Sequence, residues 1–146
     1  MFIAGAGAQA GQQIDHLVNQ LDLTPTLNDL CQLESEQVFH GKSPLPLLDA
    51  PETDWRQGMM TQHYRLHERL PQRAWYQGDL KLVLQQDGFV ELYCLSDDPG
   101  EMDNLAASTG QAETLTQMRQ ALFEAMTAVV DVELIALKAD SCSQAN

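Results

Sequence analysis

Two spacings of apolar residues alternate along the chain and mark its elements. Residues 2–4 form a short apolar run that leads into the Gly/Ala-rich stretch 5–11, the pattern of a buried strand followed by a loop. Over residues 12–21, Ile14, Leu17, Val18 and Leu21 fit one helical face without deciding between helix and irregular structure. Thr24 and Pro25 then give a helix start. A hydroxyl can accept the first free N–H groups, and proline suits the first helical position, where its missing N–H is not needed. Leu27, Leu30 and Cys31 or Leu33 supply that helix's apolar face, and it ends near Leu33.

Residues 40–51 hold Gly41, Pro44, Pro46 and Pro51 and read as an extended, turn-rich connection. Residues 53–70 are mostly polar, with a strand candidate over 59–67. From 73 to 95 the period is two. A strand over 73–77 meets a turn at Gly78-Asp79. Leu80, Leu82 and Leu84 then alternate with Lys81, Val83 and Gln85. Asp87-Gly88 makes a hairpin turn, because glycine accepts the positive φ such turns need, and 89–95 returns as the partner strand. Asp97-Asp98-Pro99-Gly100 stops the sheet. The helical period resumes over 112–137, where Leu115, Met118, Leu122, Met126, Val129 and Val130 form a stripe that reads as core or docking surface. Residues 139–146 read as a polar tail.

Composition removes several function classes. With 8 Lys and Arg against 21 Asp and Glu the net charge is −13, and that sign disfavours nucleic acid and anionic membranes as partners. No apolar stretch approaches the ~20 residues of a membrane-spanning helix. The run 1–5 has no basic residue before it and does not read as a signal peptide, which leaves the compartment undetermined. Cys31, Cys94 and Cys142 are far apart with no CxxC, so they suggest neither a disulfide framework nor a zinc cluster. Gly5, Gly7 and Gly11 place the third glycine one residue late for a dinucleotide loop.

Four segments, in order, carry a resemblance. Met1-Phe2-Ile3-Ala4-Gly5-Ala6-Gly7 with Gly11 resembles a strand and loop of the sulfatases. Leu21-Asp22-Leu23-Thr24-Pro25-Thr26-Leu27 is similar to their "D-l-x-P-T-l-L" helix start, and Gly41-Lys42-Ser43-Pro44-Leu45-Pro46-Leu47-Leu48 to "G-x-S-L-l-P-l-L". Trp75 to Val83, continuing through Glu91-Leu92-Tyr93-Cys94-Leu95-Ser96-Asp97-Asp98-Pro99-Gly100-Glu101-Met102-Asp103-Asn104-Leu105, resembles "e-L-Y-D-L-x-x-D-P-x-E-x-x-N-L". Cys94 stands where the family usually has Asp, and Pro44 where it usually has Leu. Thr24-Pro25 and the stretch 97–105 also have plain structural explanations, as a helix start and as a turn in which Asn104 bonds local backbone.

The resemblance implies an α/β fold of the alkaline-phosphatase superfamily. Residues 1–58 would be the tail end of the large catalytic α/β sheet. Residues 59–146 would be a carboxy-terminal subdomain, a small antiparallel sheet packed on a long helix. The intact parent would hydrolyse sulfate esters with calcium and a formylglycine made from Cys or Ser in C/S-x-P-x-R, a chemistry that needs an activated nucleophile and a cation. Cys31, in Cys31-Gln32-Leu33-Glu34-Ser35, does not fit that motif, nor do Cys94 and Cys142. The resemblance therefore assigns no catalytic residue and no metal ligand to this chain. It places them upstream of Met1, with that missing amino-terminal portion as the natural packing partner and the chain inactive alone. His63, Arg65 and His67 are candidates for the rim of the substrate pocket, since His and Arg suit an anionic substrate. His63 and His67, four apart and beside Glu68, would face one side of a helix as metal ligands do, but strand or irregular structure breaks that geometry. Two other readings stay open: a non-enzymatic acidic module docking through its striped helix, and part of a related phosphoester or phosphonate hydrolase.

Overall fold

The computed structural model describes Gly5 and residues 10–34, 36–64 and 71–129. It forms two compact units, Met1–Arg56 and Gln57–Asn146. The strand expected at residues 2–4 lies outside the described residues, as does the chain beyond Val129.

In the first unit, residues 12–19 are irregular and not helical. Their polar groups bond to distant chain instead of to each other. Gln12 Nε2 donates to the Leu48 carbonyl at 3.1 Å, His16 Nε2 to the Pro51 carbonyl at 2.7 Å, and the Leu17 carbonyl accepts from Trp55 Nε1 at 2.7 Å. These bonds replace an intrahelical ladder. A 3-10 turn, Gln20–Asp22, follows and runs directly into α1, Leu23–Leu30. Asn19 and Asp22 cap this entry reciprocally. Asn19 Oδ1 accepts from the Leu21 N–H at 2.9 Å, and Asp22 Oδ2 from the Asn19 N–H at 2.8 Å. Thr24 is therefore already inside the helix, and the expected Thr24 cap is displaced by Asn19. Pro25 stays within the first turn, where its missing N–H costs nothing.

The end of α1 also departs from expectation. Cys31 is the C-cap and Gln32 has φ 52°. The Gln32 N–H reaches the Asp29 carbonyl and the Leu33 N–H the Asn28 carbonyl, both at 3.0 Å. This Schellman arrangement closes the helix at Leu30, one turn before Leu33. The stretch 40–51, expected to be an extended, turn-rich connection, contains a short helix, α2, Leu45–Asp49. Pro46 sits in its first turn, where the missing N–H breaks no helical hydrogen bond. Leu47 is fully buried there.

Gly41 is required by close approach. A Cβ built on it would overlap the Leu21 carbonyl and the Asp22 N atom, both backbone. Gly41→Ala should destabilise the first unit by roughly 1–3 kcal/mol, the usual range for forced overpacking. Urea unfolding followed by Trp55 fluorescence, with Trp75 replaced by Phe, measures it. An unchanged midpoint contradicts the contact.

The second unit is a four-stranded antiparallel meander, β1 (Gly58–His63), β2 (Gln72–Gln77), β3 (Leu80–Gln85) and β4 (Val90–Cys94), in the order β1-β2-β3-β4. Gly78 and Gly88 take positive φ, 55° and 87°, at its two tight turns. The register aligns Met60, Trp75, Leu82 and Leu92 across all four strands. Side chains alternate between faces, so these four lie on one side with Leu80, Leu84 and Val90. α3, Ala112–Ala128, packs on that face through Met118, Leu122 and Met126. This is the small antiparallel sheet packed on a long helix that the resemblance implies.

The other face is not simply polar. Ala74, Val83 and Tyr93 are buried there, among Tyr76, Lys81 and Glu91. Beyond β4, Asn104 closes the sheet edge. Its Oδ1 accepts from the Leu92 N–H at 3.0 Å and its Nδ2 donates to the Val90 carbonyl at 3.1 Å, so one side chain stands in for a further strand. The same Oδ1 caps the 3-10 turn Leu105–Ala107 through Ala106 N–H at 2.9 Å.

Candidate functional site

The polar groups that the first unit assembles most tightly surround Asp22. The capped entry to α1 drops this carboxylate inside, where it is fully buried. Oδ1 accepts from the Lys42 N–H at 2.8 Å and from Arg56 Nη2 at 2.6 Å, and Oδ2 accepts from the Asn19 N–H at 2.8 Å. Thr26 Oγ1 donates to the Asp22 carbonyl. Trp55 lies beside this centre, 5% exposed, with Lys42 Nζ 4.5 Å and the Arg56 guanidinium 5.1 Å from its ring. His16 meets the same ring at 6.4 Å between centroids. The centre joins three sequence-distant segments, residues 16–26, Lys42 and residues 55–56. Its one sequence sign was the Asn19-to-Asp22 spacing, which the stronger-looking Thr24-Pro25 signal hid.

This centre is structural. A fully buried carboxylate that already accepts three N–H donors, one of them a charged guanidinium at 2.6 Å, is a poor cation ligand. Among the described residues no group of three or more His, Cys, Asp or Glu is placed to hold a metal ion. The described residues therefore do not fit the calcium site of a sulfatase. Cys31 is exposed at the end of α1, and Cys94 sits in β4 with its Sγ 3.2 Å from Ser96 Oγ and 3.4 Å from Asp97 Oδ2. Neither has a formylglycine sequence around it.

His63 is the last residue of β1, exposed and paired in register with Gln72. A strand, not a helix, presents it, so the four-residue spacing to His67 has no helical meaning there. Arg65 and His67 lie outside the described residues. Next to His63, Tyr64 is 55% exposed and stacks over the fully buried Arg73, whose guanidinium is 4.6 Å from its ring.

On the second face of the sheet, Lys81 Nζ bonds both Glu101 oxygens, at 2.8 and 2.6 Å. Burial lowers the Lys81 pKa, but the Glu101 carboxylate and Tyr76 outweigh it, so the net position is above 10.5. Burial, then the Glu91 carboxylate that its hydroxyl bonds at 3.1 Å, pushes Tyr93 above 10.0. Both groups hold their protons more tightly when folded. Their contribution is present below the unfolded values and is lost as pH rises through the folded ones. The urea midpoint should therefore fall as the pH rises past the ordinary values of 10.0 for Tyr93 and 10.5 for Lys81, and Glu101→Gln should flatten that fall. An equally steep fall in the variant would contradict the assignment to this pair.

The chain matches the family model described as N-sulphoglucosamine sulphohydrolase, C-terminal, over residues 3–128 and belongs to that family. It is 30% identical to the uncharacterized sulfatase YidJ of Escherichia coli over 127 residues, 82% of this chain and 24% of that protein. An uncharacterized protein of Haemophilus influenzae is 36% identical over 91 residues, 62% of this chain and 47% of that one. Among solved structures, a 2-O GAG sulfatase superposes with TM-score 0.75 at 29% identity, covering 88% of this chain and 29% of the other. The chain thus spans under half the length of these relatives.

Proposed function

We propose that this chain forms the carboxy-terminal part of a sulfuric-ester hydrolase. Residues 1–58 would complete the catalytic α/β domain and residues 59–146 would form the subdomain beside it. The observation that carries this reading is the family match over residues 3–128, together with the sheet-on-helix unit of the same region. Calcium and formylglycine belong to the remaining part of the enzyme. The contribution of this chain is to pack against that part and to shape access to a sulfated substrate.

The reading frame before the Met1 codon tests this. An in-frame C/S-x-P-x-R is expected there. A Thr or Ser nucleophile without that motif would transfer the chain to the phosphoester or phosphonate hydrolases, one of which, from Agrobacterium radiobacter, shares the fold at 21% identity and TM-score 0.69. A frame unrelated to either would sink the proposal.

For the pocket, His63 supports a rim position by its exposure at the open end of β1. In the joined enzyme, alanine at His63, Arg65 and His67 together should lower kcat/KM for an anionic sulfate ester, chiefly through KM. Unchanged kcat/KM would remove these three residues from the pocket.

A further inference from the structure

We draw no further inference here: the strongest candidate, the side-chain cluster at one end of the second unit's sheet, where His63, Gln72 and Gln85 stand in register beside the exposed rings of Tyr64 and Phe89, belongs to the substrate-pocket rim already proposed, and nothing in the structure shows a separate ligand for it.

Discussion

Asp22→Ala should destabilise the first unit by about 3–5 kcal/mol, the range for removing one partner of a buried ion pair. The loss has three parts. Arg56, whose side chain is only 20% exposed, keeps a charge with its partner gone. The Lys42 N–H loses its acceptor, and the Asn19 N–H loses the return half of the capping box. Replacing Asp22 and Arg56 together with apolar residues of similar size should cost less than Asp22→Ala alone, because no charge is then stranded. The chain reports this cleanly, since it has two tryptophans, Trp55 in the first unit and Trp75 in the second. In a Trp75→Phe background, the urea midpoint of Trp55 fluorescence should shift strongly, while the helix signal of the second unit should not. A shift below about 1 kcal/mol would mean that Asp22 is hydrated, not buried.

Leu122→Ala should cost roughly 3 kcal/mol, within the ~2–5 kcal/mol seen when a core leucine is truncated. Leu122 is fully buried between Met118 and Met126 on α3 and packs on the face formed by Leu82, Leu84 and Leu92. The site has little room to collapse, because those strand residues are pinned by pairing on both sides of β3. Far-UV circular dichroism in urea measures the effect. A small loss would indicate that α3 lies loosely on the sheet. The contrast with Leu27 is a control on the same residue type: Leu27→Ala, 61% exposed, should leave the isolated chain nearly unchanged.

The parts of the fold that were legible in the sequence are those set by local chemistry. Gly78 and Gly88 take the positive φ that the two hairpins need. The period-two run over β3 and the methionine-leucine stripe of α3 each point at one face. What was not legible depends on distant partners. Residues 12–19 have a helical apolar pattern, but their polar groups are claimed by Leu48, Pro51 and Trp55. The start of α1 moved because Asn19 and Asp22 formed a better cap than Thr24 once Lys42 and Arg56 arrived to hold Asp22. α2 forms although proline-rich, because proline at a helix start removes a hydrogen bond that no residue there would make.

The same limit applies to the site. The absence of a formylglycine motif around Cys31 and Cys94 is a property of short words and can be read directly. The buried Asp22 centre draws on residues up to 34 positions apart in sequence, and no local pattern announces it. Leu27 and Leu30 share one face of α1 as expected, while Cys31 and Leu33 fall beyond its end, and a sequence pattern says only that a face is apolar. It does not say which face the rest of the chain covers.

The chain has the fold of a sulfatase carboxy-terminal region, and the proposal is that the chemistry of the enzyme it belongs to resides outside it. The most direct measurement is hydrolysis of a chromogenic aryl sulfate by the purified 146-residue chain in the presence of calcium. The account predicts product formation no faster than in protein-free buffer, at any concentration of folded chain. Product that forms in proportion to the chain, and disappears when the chain is unfolded, would contradict it.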